Sequence, residues 1–135
     1  MKPASMLLST RTKPLIAVLD SELLYRTSLL EALQEVGYWV IASESKQDVL
    51  DRLDQVTPDV VISDVVSPIV DGLTLLQIIK ADERFKHIPV IFCTGYWSLR
   101  SRLYREGAFA VISKPYQVET LMVALRLALC PFATS

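Results

Sequence analysis

Residues 58–64 read Pro58-Asp59-Val60-Val61-Ile62-Ser63-Asp64, a short apolar run with a proline before it and an aspartate closing it. The run over 59–63 does not alternate polar with apolar residues. A strand written this way is buried on both faces, the habit of a parallel sheet covered by helices on each side. Four other runs share the pattern, at 15–19, 38–42, 89–93 and 109–112. Helical spacing fills the intervals between them. The first interval, 22–36, sets Leu29, Leu33 and Val36 on one face, with Ser21 placed to cap its start and Gly37 to end it. The second, 45–55, turns Val49, Leu50 and Leu53 inward, and the third, 72–80, carries the stripe Leu73, Leu76, Ile79. Residues 99–106, closed by Gly107, and 117–129 supply the last two. Five strands alternating with five helices predict an α/β, doubly wound sheet with right-handed crossovers.

The 135 residues suit one domain, expected over 14–130, with a flexible leader at 1–13 and a short tail at 131–135. Half of the chain is hydrophobic, 51%, enough to fill a core without disulfides or metals. A net charge of −1 argues against direct nucleic-acid binding and a polybasic membrane anchor, which call for a basic surface. Cys93 and Cys130 form no CxxC pair, which suits a reducing compartment. The apolar run Met6-Leu7-Leu8 is too short for a signal peptide, and no window has the length of a membrane span. The expected location is the cytoplasm.

In doubly wound sheets ligands bind beyond the carboxyl ends of the strands. Those ends carry Asp20, Asp64, Thr94 and Lys114. Singly, each has an ordinary structural explanation: a helix cap for Asp20, a turn residue for Asp64, a structural hydroxyl for Thr94, a solvated charge for Lys114. Together at one sheet edge they suit phosphoryl transfer. A carboxylate accepts the group, a divalent cation and an ammonium neutralise its oxygens, and a hydroxyl hydrogen-bonds one of them. Oxygen ligands in small number favour Mg²⁺.

From about residue 15 to 129 the chain resembles the receiver domain of two-component response regulators. The resemblance is carried by Ile16-Ala17-Val18-Leu19-Asp20, by residues 58–64, and by Ser67-Pro68-Ile69-Val70-Asp71-Gly72. It continues through Ile88-Pro89-Val90-Ile91-Phe92-Cys93-Thr94, Gly107-Ala108 and Ser113-Lys114-Pro115-Tyr116. It implies a flavodoxin-like (βα)₅ three-layer sandwich with strand order 2-1-3-4-5. Asp64 becomes the phosphoacceptor, Thr94 and Lys114 the residues contacting the phosphoryl group, and the Lys114–Pro115 peptide cis. Mg²⁺ falls to Asp20, Asp64 and the backbone carbonyl of Val66, with Glu22 as a further candidate ligand. A histidine kinase or phosphotransfer protein supplies the phosphoryl group, and the domain is not itself an enzyme beyond metal-assisted self-phosphorylation and dephosphorylation.

The chain departs from the family at three places. Ser21 stands where a second acid usually follows the first, which should weaken the metal site. Val111 stands where a switching aromatic is usual. The stretch from Thr94 to Gly107 is slightly short; it holds Tyr96 and Trp97, whose ordinary expectation is packing back on the domain. Ser21 and Val111 favour a rival reading, a pseudo-receiver that only binds other proteins, whereas Asp64, Thr94 and Lys114 favour the phosphoacceptor. A nucleotide enzyme has no Gly-rich phosphate loop to support it. His87 reads as an exposed loop residue and Cys93 as a buried small hydrophobe. The last helix has a core stripe of Val118, Leu121, Met122, Leu125 and Leu129, with Val123, Leu127 and Cys130 on other sides. That surplus raises the expectation of a homodimer through the last helix, independent of phosphorylation.

Overall fold

The computed structural model describes residues 13–65 and 71–130. The chain runs β1 (Leu15–Leu19), α1 (Leu23–Val36), β2 (Trp39–Ser43), α2 (Lys46–Leu53), β3 (Val60–Asp64) and α3 (Asp71–Ala81). It continues through β4 (Val90–Thr94), a 3₁₀ turn (Trp97–Leu99) leading into α4 (Arg100–Arg105), β5 (Ala110–Ser113) and α5 (Val118–Ala128). All four strand pairings are parallel, in the expected order β2-β1-β3-β4-β5.

Each apolar run feeds two cores. Ile16, Val18, Val60, Ile62, Ile91 and Ile112 face Leu29 and Leu33 of α1 and Leu121 and Leu125 of α5. Ala17, Leu19, Val61, Val90 and Phe92 point the other way, onto Val49 and Leu53 of α2, Leu75, Leu76 and Ile79 of α3, and Leu103 of α4. Successive strand residues point to opposite faces, so a strand covered on both sides has no polar position to alternate with. The buried side chains contribute roughly 1.5–3 kcal/mol each relative to exposure.

The sequence reading placed β2 to β5 one residue too early. The ladder is set by backbone groups, so it includes polar Ser43, Asp64, Thr94 and Ser113, paired with Leu19, Cys93 and each other. At the other end, Tyr38 donates its N–H to Leu33 of α1 rather than joining the sheet. The result is a carboxyl edge rich in polar side chains already held in register.

Several helix expectations need correction. Ser21 does not cap α1; Glu22 occupies that position without a side-chain cap, and the Ser21 hydroxyl turns to Asp64. Val36 is exposed in the last turn of α1, where Gly37 ends the helix at φ +104. Leu75, rather than Leu73, is fully buried in α3. The fourth helix is shorter than expected, its first turn tightened to 3₁₀. Tyr96 and Trp97 do not pack back fully and are 40% and 46% exposed, with the Arg100 guanidinium 5.0 Å from the Trp97 ring centroid. His87 is exposed and Cys93 buried, as expected. The Lys114–Pro115 peptide is cis. Among the described residues no helix is long and apolar enough to cross a membrane. Val66, most of the expected leader and the tail lie outside the described residues.

Candidate functional site

The parallel register brings the ends of β1, β3, β4 and β5 to one edge. There Asp20, Asp64 and Thr94 are all buried, at 4%, 4% and 1% exposure. Lys114 follows β5; its N–H donates to the Thr94 carbonyl at 2.9 Å, which fixes where its side chain starts. Lys114 Nζ lies 2.9 Å from Asp20 Oδ2 and 3.4 Å from Glu22 Oε1. It also sits 4.2 Å from the Tyr25 ring centroid, and Tyr25 in turn lies against Tyr116. The ammonium is therefore held from three sides, by two carboxylates and an aromatic face.

Asp20 spends its other carboxylate oxygen, Oδ1, on the N–H of Glu22 at 2.9 Å, and Arg26 donates to its backbone carbonyl. Asp64 is divided differently. Its Oδ2 accepts both the N–H and the hydroxyl of Ser21, each at 3.0 Å. Its Oδ1 is buried and has no hydrogen-bond partner among the described residues. Such an atom carries a desolvation cost that some further group must offset. The Thr94 hydroxyl accepts from the Tyr96 N–H at 2.9 Å. A cleft of about 390 Å³ opens over these residues, lined among others by Ser21, Glu22, Asp64, Tyr96 and Lys114.

Burial raises the Asp64 carboxyl above its ordinary pKa; the Ser21 amide works against this and the Asp20 charge adds to it. For Lys114, burial alone would lower the pKa. The contact with Asp20 and the charges of Asp64 and Glu22 outweigh it, so the ammonium is held above the ordinary range. Beneath the site, burial pushes the Cys93 thiol up to about 12, which leaves it unreactive.

Of the four residues read from the strand ends, Asp20, Asp64 and Lys114 thus meet in space, and Thr94 stands buried at the same sheet edge. Glu22 points to Lys114 rather than to Asp64. Among the described residues no three acids, histidines or cysteines cluster as a metal cage. Two buried carboxylates, with Asp20 oxygens that each carry only one contact, still fit a hard cation that keeps most of its waters, as Mg²⁺ does. Val111 is buried, and its N–H donates to the Tyr104 hydroxyl at 3.0 Å. Sequence reasoning missed Tyr104, Tyr25 and Tyr116. Tyr25 left a signal, since it stands one helical turn after Ser21, and Tyr116 closes the segment that holds Lys114.

The raised Asp64 pKa has a consequence for stability. A carboxyl that holds its proton more tightly folded than unfolded loses the protein stability as pH rises between the two values. Asp64→Asn removes that loss while keeping an acceptor for Ser21. The variant is expected to be more stable near neutral pH by about 1 kcal/mol, the order of the penalty for a buried polar atom left unsatisfied, or roughly 4 °C in Tm. The advantage should shrink on going down to pH 4, because Asp64 takes up its proton more readily folded than unfolded. Thermal melts at both pH values check it; a neutral-pH Tm below wild type would contradict it.

A parallel five-stranded sheet with two acids, a threonine and a lysine at its carboxyl edge defines a class of signalling module. The family model of the response regulator receiver domain matches residues 16–126, and the chain belongs to that family, found in two-component systems. It is 34% identical over 114 residues to the DNA-binding transcriptional regulator NtrC of Proteus hauseri, covering 83% of this chain but only 24% of NtrC. It is 34% identical over 120 residues to the polar-differentiation response regulator DivK of Brucella ovis, covering 85% of this chain and 94% of DivK. The chemotaxis response regulator CheY4 of Vibrio cholerae superposes with a TM-score of 0.79 at 25% identity, over 87% of this chain and all of CheY4.

Proposed function

We propose that the domain, taken as residues 14–130, is a phosphoacceptor that receives a phosphoryl group on Asp64 from a histidine kinase or phosphotransfer protein. The observation that carries this is Asp64 Oδ1, buried, without a partner among the described residues, in a cleft it shares with Lys114, whose ammonium pairs with Asp20. Oδ1 attacks phosphorus, the bond to the donor's leaving atom breaks, and that atom keeps the electron pair. Lys114 then has phosphoryl oxygens to hold as well as Asp20, and the Thr94 hydroxyl can turn to donate to one of them. Asp20 and Asp64, with the Val66 carbonyl implied by family resemblance, would hold Mg²⁺, which neutralises charge on the phosphoryl oxygens. The cytoplasm is the proposed location, where such donors work.

The test is incubation with Mg²⁺ and acetyl phosphate, followed by intact mass. One added phosphoryl group is expected on wild type and none on Asp64→Asn. A second reading has its own support: Ser21 and Lys114 already occupy Asp64 Oδ2 and Asp20 without phosphate. That arrangement suits a pseudo-receiver working by protein contacts alone, and an unlabelled wild type would decide for it.

Any self-association we assign to α5, where Val123 and Leu127 are 50% and 59% exposed. Their exposure needs no phosphate, and neither should the contact. In sedimentation, wild type is expected to dimerise with or without beryllofluoride, and Leu127→Glu to stay monomeric. A dimer that forms only with beryllofluoride would refute this.

A further inference from the structure

We infer that the Ser21 hydroxyl shortens the life of the phosphorylated state by stabilising Asp64 as the group that leaves phosphorus; this rests on Asp64 being the phosphoacceptor. The geometry assigns the two carboxylate oxygens different tasks. Oδ2 takes the N–H and O–H of Ser21, both at 3.0 Å, and Oδ1 has no partner among the described residues. Phosphorylation therefore falls on Oδ1, and Oδ2 becomes the carbonyl oxygen of an acyl phosphate.

In hydrolysis a water oxygen attacks phosphorus and gives its proton to solvent. The P–Oδ1 bond breaks, and its electron pair returns to the carboxylate. Inorganic phosphate and free Asp64 result. The returning charge spreads over both oxygens, so Oδ2 goes from neutral carbonyl to charged acceptor. Hydrogen bonds to charged groups are stronger than bonds to neutral ones. The two Ser21 bonds thus tighten as the phosphoryl group departs, and donors that strengthen toward the transition state accelerate the step. An aspartate at this position would have no proton to donate.

Ser21 is exposed as a residue, and α1 does not use it as a cap, so its hydroxyl can be removed without loss of a core contact. Wild type, Ser21→Ala and Ser21→Thr are phosphorylated with acetyl phosphate, freed of donor, and followed by intact mass with Mg²⁺ and again with EDTA. Ser21→Ala is expected to hold its phosphoryl group about fivefold longer. Ser21→Thr, which keeps the hydroxyl, should decay as wild type does. The ratio should persist in EDTA, because the donor belongs to the chain. Equal half-lives for wild type and Ser21→Ala would overturn the inference. So would a ratio that disappears in EDTA, which would mean Ser21 acts through the metal. A wild type that takes no label on Asp64 overturns the phosphoacceptor reading first, and this inference with it. Ser21→Gly removes the same hydroxyl and repeats the test should Ser21→Ala not fold.

Discussion

Lys114→Met is expected to lower stability at neutral pH by about 3 kcal/mol, the cost of breaking a buried ion pair from one side. Asp20 and Lys114 are 2.9 Å apart with side chains only 5% and 9% exposed. Methionine keeps much of the lysine volume but leaves Asp20 Oδ2 bare, and Asp20 already shares the pocket with Asp64. The Glu22 N–H still serves Oδ1 and cannot serve both oxygens. The double variant Asp20→Asn/Lys114→Met should recover most of the loss, since no buried charge is then left unpaired. Because the Lys114 pKa is raised in the folded state, its stabilisation is complete below the ordinary lysine value of about 10.5. It is lost as pH rises through the higher folded value. The gap between wild type and variant should therefore be flat across neutral pH and narrow only in strong alkali. Urea unfolding of the three proteins measures it. A single variant with the wild-type midpoint would mean that water already shields Asp20.

The same pocket shows which parts of the molecule can be read from residues in order. The strands were legible because both faces are buried, which writes an unbroken apolar run that few other elements produce. Their bounds were not, because Asp64 and Thr94 join the ladder through backbone groups while their side chains look like loop. Asp20, Asp64, Thr94 and Lys114 were legible as a set because the topology collects strand ends at one edge. The task of Ser21 was hidden by competition. A local rule offered it a helix cap, whereas its real partner, Asp64, is 43 residues away. The Tyr104 hydroxyl on the Val111 N–H was equally out of reach, since it depends on how α4 lies beside the edge strand. Val36 failed for the opposite reason. Its periodicity is sound, but at the last helical position before Gly37 that face is left exposed.

Ser21→Asp tests how far the pocket's charge has been tuned away from metal binding. Wild type presents Asp20 and Asp64, and one of the four oxygens is bound to Lys114 while two others accept hydrogen bonds. A third carboxylate beside them has nothing to donate to Asp64 Oδ2 and repels it. Without Mg²⁺ the variant is expected to be less stable than wild type by about 1 kcal/mol, from like charges at close range in a partly screened site. With Mg²⁺ the same charge becomes a hard-oxygen ligand. Affinity should tighten by about tenfold, which is about 1.4 kcal/mol. Ligand that binds only the folded state adds stability as its concentration rises above Kd. The two unfolding curves should therefore cross as Mg²⁺ is raised, with the variant the more stable at saturation. Urea titrations at several Mg²⁺ concentrations give both numbers at once, without any phosphoryl donor. Equal Mg²⁺ affinities would mean that Glu22 swings from Lys114 to supply the third carboxylate in wild type. Glu22→Gln, tested in the wild-type background, would then weaken binding where this account says it should leave it unchanged.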